Sequence, residues 1–232
     1  MPTLNVSTTG YIRGSSNSNF TDAREDDGSF VVNGGTGTVN PAVEYIFSSG
    51  RGGGTHRMIR TYLDFNTSGI TDTVSSATLN IASLGSNSGD IIGLKTTAFG
   101  SSGGGTLSAA SFFSTIDYTT AYTAEISTWQ AGSGKTPANN AITLNSTARS
   151  DMSSNNRFQI ALVNHTYDYA NSGASVTVTE QNAIAFGTTI NIDYTIGAAS
   201  DITSINTIAR ASITSLNTIA LASIDEINTL DN

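Results

Sequence analysis

The residues able to do chemistry are few in this chain: two histidines, no cysteine, and eighteen carboxylates among 232 residues. His56 falls in a Gly/Arg-rich stretch and His165 follows the apolar run that ends at Val163-Asn164, and neither sits in a recognisable motif. Without thiolates or a His-x-x-x-His spacing, a zinc site would have to draw on carboxylates. Glycoside hydrolysis needs two carboxyl groups held about 5 to 9.5 Å apart, one with a raised pKa. Glu44, Glu125 and Glu180 are scattered, and Asp64 alternates away from Leu63 and Phe65. These four read as solvated surface charges, so the expectation is a non-enzymatic protein with no catalytic residue and no resident cofactor.

Two clusters remain. The acidic run Asp22-Ala23-Arg24-Glu25-Asp26-Asp27-Gly28 can offer oxygen ligands to Ca²⁺, which takes six to eight of them from carboxylates and loop carbonyls. Asp22, Glu25, Asp26 and Asp27 are therefore the candidate metal ligands, although their spacing is not that of an EF-hand. Tyr167-Asp168-Tyr169 places two rings in one polar loop, and such rings stack on sugar faces as readily as they pack at protein interfaces. Tyr167 and Tyr169 are accordingly the candidate glycan contacts, whereas Trp129 reads as core. The glycine-rich stretch Gly100 to Gly105 lacks the Lys-Ser/Thr of a phosphate loop. The Asn-x-Ser/Thr triplets at Asn5, Asn19, Asn66, Asn145 and Asn164 are what chance supplies in so Ser/Thr-rich a chain.

Elements that could position these residues follow from the patterning. Apolar residues make up 38% and charged residues 12%, while Gly, Ser, Thr and Asn supply nearly half the chain; ordinary globular domains carry about 25% charge. From the start to about residue 198, short alternating runs are broken by Gly, Ser and Asn clusters, which is the signature of strands and turns. The clearest runs are 43–47, 58–65, 76–82, 91–98, 141–144, 157–163, 175–179 and 188–196. Ala77, Leu79 and Ile81 share one face, as do Ile190, Ile192 and Tyr194, so the sheet buries one side. The expected body is an all-β antiparallel sandwich of eight or nine strands, residues 1–198.

The tail, 199–232, is different. It repeats an eleven-residue unit, Ile202 to Ser212 and then Ile213 to Ser223, followed by a partial third copy from Ile224. Eleven residues in three helical turns would align Ile202, Ile205, Ile208, Ile213, Leu216, Ile219, Ile224, Ile227 and Leu230 along one face. An amphipathic α-helix is therefore expected, capped by Ser200 or Asp201. At about 1.5 Å per residue it would be roughly 45 Å long, too long to lie wholly against its own domain. Its stripe must meet copies of itself, a trimer before other numbers, or a larger assembly. Thr, Ser and Asn between the apolar positions are mediocre helix formers, so the segment should not hold its shape alone in water.

The segment Met58-Ile59-Arg60-Thr61-Tyr62-Leu63-Asp64-Phe65, followed by Ser76-Ala77-Thr78-Leu79-Asn80-Ile81, resembles the signature of the DNRLRE family of jelly-roll sandwiches. Gly10-Tyr11-Ile12-Arg13, the Trp129 region leading to Ala141-Ile142-Thr143-Leu144, and Asn191-Ile192-Asp193-Tyr194 are similar to that family's opening, middle and closing strands. The resemblance covers about residues 10–196 and implies a jelly roll rather than an activity; the stretch from Gly34 to Gly54 is longer than the family's. The repeat tail is similar to tails on structural proteins of marine phages.

Net charge is −8 with only two Lys and eight Arg, which disfavours a nucleic-acid partner because phosphate binding needs a clustered cationic face. No run approaches the eighteen apolar residues of a membrane span, and the start lacks the pattern of an export signal. A surface-type composition without a signal suits assembly inside a cell and later exposure, as on a virion or extracellular surface. The expected function is a structural component of such an assembly, a phage decoration, fibre or tail protein anchored by its C-terminal helix. The alternative is a carbohydrate-binding or adhesive module made multivalent by the tail.

Overall fold

Some strands of this computed structural model alternate between buried and less buried residues, and others are buried along nearly their whole length. In chain order the elements are β1 (Thr3–Gly14), α1 (Phe20–Glu25), β2 (Gly28–Asn33), β3 (Thr38–Ser48), β4 (Thr55–Asn66), β5 (Val74–Ser83), β6 (Ile91–Thr96), β7 (Ile116–Ala121), β8 (Ala138–Thr143), α2 (Ser146–Ser154), β9 (Arg157–Asn164), β10 (Val178–Ala185) and β11 (Asn191–Ile196). The residues described are 1–34, 38–51, 53–83, 88–132, 136–186 and 190–197, with four short backbone pieces beyond them. The class is all-β, mostly antiparallel.

The strands hydrogen-bond in the order β7-β6-β9-β4-β1-β11-β5-β8, with β2 beside β1 and β3 bridging β4 and β10. β1 turns the corner of this curled sheet. Its Thr3, Leu4 and Asn5 pair with β11, the register shifts between Val6 and Thr8, and Thr8 to Arg13 then pair with β4. A bulge of this kind bends a strand and increases its twist.

Strand β4 explains why there are two cores. Leu63 and Phe65 point into a cluster with Leu79, Ile81, Phe158, Ile160 and Ile192. Met58 and Tyr62, on the opposite face, join Ile12, Tyr45, Phe112 and Val163. This second cluster is roofed by α1, a 3₁₀ turn at Ala109–Ser111 and a π-helical turn at His165–Tyr169. Strand β5, between β11 and β8, instead alternates as the sequence suggests, with Ala77, Leu79 and Ile81 buried and Ser76, Thr78 and Asn80 less so. Trp129 is 8% exposed and donates its indole N–H to the Ala183 carbonyl at 3.1 Å, a core position as expected.

Asparagine side chains start the helical pieces. Asn19 Oδ1 accepts from the Thr21 N–H at 2.8 Å, Asn145 Oδ1 from Ala148 at 3.0 Å, and Asn164 Oδ1 from Tyr167 at 2.8 Å. Each satisfies a donor that the first turn cannot. Neither α1 nor α2 is among the elements expected from the patterning, and the acidic run at 22–28 is in part helical. Strand β10 begins at Val178 and runs to Ala185, several residues beyond the expected 175–179.

In the tail the backbone of Ser204–Ile205 pairs with Ile208–Ala209, and that of Ser215–Leu216 with Ile219–Ala220. The pairs are one repeat apart and in the same phase. At these eight positions extended pairs stand where a helix was expected, consistent with the poor helix propensity of the β-branched and Asn-rich unit. The rest of the expected helix, with Ile202, Ile213, Ile224, Ile227 and Leu230, lies outside the described residues.

Leu63 is fully buried in the first core, so Leu63→Ala should cost about 2–5 kcal/mol. Urea denaturation should show a lowered midpoint with an unchanged slope.

Candidate functional site

The most elaborate polar arrangement is buried. Arg60 shares the β4 face of Met58 and Tyr62, which turns it beneath the roof of the second core, where it is 0% exposed. Asp168, from the π-helical turn, answers it: Arg60 Nε donates to Oδ2 at 2.7 Å and Nη2 to Oδ1 at 2.8 Å. The remaining guanidinium donors reach the Phe112 carbonyl at 2.6 Å and the Arg24 carbonyl at 2.8 Å, and the Phe112 ring lies 3.9 Å from the guanidinium carbon. Arg24, itself 5% exposed, donates through Nε to the Asp168 carbonyl at 2.8 Å and through Nη1 to Glu25 at 3.0 Å. Its guanidinium sits 4.3 Å over the Tyr118 ring, and Tyr118 donates its hydroxyl to Asp168 Oδ1 at 2.9 Å. Burial alone would weaken the charge on Arg60, yet the Asp168 carboxylate outweighs it and holds the guanidinium above its ordinary pKa. Burial pushes Tyr118 and Tyr62 up, so both remain neutral phenols.

A second clamp lies further along β4. Asp64, 0% exposed, accepts from Arg157 Nε at 3.1 Å, from Arg157 Nη2, and from the Gly104 N–H at 3.0 Å. Gln159 Oε1 accepts from the Phe99 N–H at 3.0 Å and its Nε2 donates to the Gly100 carbonyl at 2.7 Å. Glu44, 1% exposed, accepts from Arg57 Nε and Gln181 Nε2, both at 2.7 Å. The expectation that Asp64 and Glu44 are solvated surface charges is therefore corrected: each is buried against an arginine, because β4 and β3 are covered on both faces.

His56 belongs to an aromatic cluster with Tyr45, Phe20 and Phe47. The Tyr45 hydroxyl accepts from the Ala174 N–H at 2.8 Å and stands 2.8 Å from His56 Nδ1. Donating its own proton to that nitrogen satisfies both partners and leaves the imidazole neutral. Desolvation lowers the His56 pKa.

Of the residues singled out in the sequence, Tyr167 stacks on Tyr45 at 4.2 Å and Tyr169 on His165 at 5.5 Å, so both rings are taken up in packing. Asp22 lies in the first turn of α1, Glu25 meets Arg24, Asp26 closes the helix, and Asp27 is exposed. Among the described residues no three His, Asp or Glu side chains gather into a group that could hold a metal ion. Neither the Arg60–Asp168–Arg24 cluster nor the separate Arg157–Asp64 clamp was foreseen. One signal existed: Arg60 stands in the same strand phase as Met58 and Tyr62, and a charge in a core phase needs a partner.

No protein-family model matches this chain, and no curated protein matches it by sequence.

Asp168→Ala should leave the buried Arg60 guanidinium without a carboxylate and Arg24 with Glu25 alone, at a cost of about 3–5 kcal/mol, read as a fall in the denaturation midpoint. His56 adds a pH dependence. Its folded pKa lies below its unfolded value, so the unfolded chain binds the extra proton first. Stability should be complete above pH 6.5 and decline as pH falls through the depressed folded pKa. In urea midpoints measured across that interval, His56→Phe should flatten the decline.

Proposed function

We propose that this chain is a non-enzymatic structural protein of an extracellular or virion assembly, a phage decoration, fibre or tail component, in which a jelly-roll sandwich is displayed and the repeat tail attaches it. The observation that carries the reading is the eleven-residue repeat, whose apolar positions recur in one phase through Leu230. A stripe of nine Ile and Leu side chains, at about 1.5–3 kcal/mol for each one fully buried, is a strong drive toward a partner surface. In the assembled state the tail is a helix packed against copies of itself, three before other numbers. Extended pairing of 204–205 with 208–209 and of 215–216 with 219–220 in the single chain is compatible with that, because a marginal helix forms only when its face is covered. Support for the jelly roll comes from the antiparallel order and from β1 crossing between the β4 and β11 neighbourhoods. The strands carrying the DNRLRE-like segments, β4 and β5, both face the first core. Support for a display role comes from the buried charges, which tie segments of the body to one another.

The test is the mass in solution of the full chain against a 1–198 truncation. The full chain should be a multimer, three-fold before other values, with a helical signal at 222 nm well above that which α1 and α2 give the truncation; the truncation should be a monomer. Equal association states for the two would overturn the reading.

A further inference from the structure

Beyond the attachment role, we propose that the cleft at the carboxyl end of β6 is a binding site for a neutral glycan. The cleft, of about 440 Å³, runs between Lys95, the Ser101-Ser102 tip, Asn155, Asn156 and Arg157. Small-molecule sites are concavities of about this size. A second depression of about 260 Å³ shares Lys95, Thr96 and Thr97 and continues past Ser114 to Asp117. The two depressions border the same strand end.

The walls are held rather than loose. The 100–105 loop is fixed by Gln159 at Phe99 and Gly100 and by Asp64 at Gly104. Gly103 has φ +65°, and a Cβ there would lie 2.0 Å from Arg157 Nε. Glycine lets the Arg157 side chain lie across the loop, and the salt bridge to Asp64 keeps it there. On the other wall Lys95 Nζ donates to Asp151 Oδ2 at 2.8 Å, and Tyr122 donates its hydroxyl to the same oxygen. Neither cation can swing away without leaving its carboxylate.

Charge and hydrogen-bonding capacity choose the ligand class. Lys95 is matched by Asp151 and Arg157 by Asp64, so an anion gains no net positive field. The groups left over are both donors and acceptors: the hydroxyls of Thr97, Ser101 and Ser102 and the carboxamides of Asn155 and Asn156 have no hydrogen-bond partner among the described residues, and all five residues are exposed. Each hydroxyl of a neutral sugar likewise donates once and accepts twice. The backbone that carries these groups is already held on both sides, so binding has mainly side-chain rotamers left to order. The site stands whether or not the tail oligomerises the chain; oligomerisation would multiply weak single-site affinity.

The experiment is a panel of neutral oligosaccharides of glucose, galactose, mannose and xylose, with uronate and sulfated oligosaccharides alongside, applied to the full chain. Hits are followed by titration calorimetry at low and high salt. At least one neutral oligosaccharide should bind with an affinity indifferent to salt. The Asn155→Ala/Asn156→Ala variant, which removes side chains with no structural bond, should weaken it about tenfold at an unchanged melting temperature, while Thr128→Ala, on a separate depression, should not. No neutral glycan bound at millimolar concentration, binding confined to the anionic panel, or binding indifferent to the double variant would each overturn the proposal. None of these outcomes bears on the association state of the tail.

Discussion

The pairing of Arg60 with Asp168 is the constraint on which the second half of the body rests. A sheet strand covered on one face only would have ended at the first core. Here β4 is covered on both, and the covering layer is made of short pieces: α1, the 3₁₀ turn near Phe112, and the turn that carries Asp168. Such pieces have little apolar surface of their own. Arg60 reaches all three, through the Arg24 carbonyl, the Phe112 carbonyl and the Asp168 carboxylate. A buried ion pair is not a strong source of net stability when compared with a hydrophobic replacement. Its contribution here is geometric, since four directional hydrogen bonds from one planar group fix three segments that hydrophobic contact alone would leave free to slide.

The strand pattern was legible wherever one face of a strand is less covered than the other, as in β5 and β11, because alternation between buried and solvated residues is what a period of two records. In β4 the strand was legible as 58–65 but its burial on both faces was not: Arg60, Thr61 and Asp64 sit among apolar neighbours and all are buried. Neither an amphipathic nor a purely apolar pattern describes such a strand; the charges are partnered from residues 93 and 108 positions away, a separation that local sequence cannot encode. Helix α1 was hidden for the opposite reason. Its signals are local, but the six-residue length is too short for a helical period to register.

The asparagine triplets show how a local signal can be read for the wrong property. Asn19, Asn145 and Asn164 each begin a helical turn by accepting a backbone N–H, and Asn66 Oδ1 accepts from the Ser68 N–H at 3.1 Å. Four of the five Asn-x-Ser/Thr triplets thus place the Asn where its side chain replaces a missing backbone acceptor. Asn at such a position followed closely by Ser or Thr is what a cap or Asx turn favours, so these triplets mark chain reversals and helix starts in a protein that has little apolar periodicity to mark them otherwise.

Charge is scarce in this chain, and its distribution links the body to its surface. The buried acids Glu44, Asp64 and Asp168 are each matched by arginine. With eight Arg and two Lys in all, that matching takes Arg24, Arg57, Arg60 and Arg157 from the supply available for binding anions. The outer surface is then left to Ser, Thr and Asn. Such a surface resists nonspecific association with polyanions and offers many paired donor and acceptor groups. Specific binding by so uniform a coat requires that some of those groups stand on a fixed backbone within a concavity, and the Arg157–Asp64 clamp fixes one such stretch, the 100–105 loop.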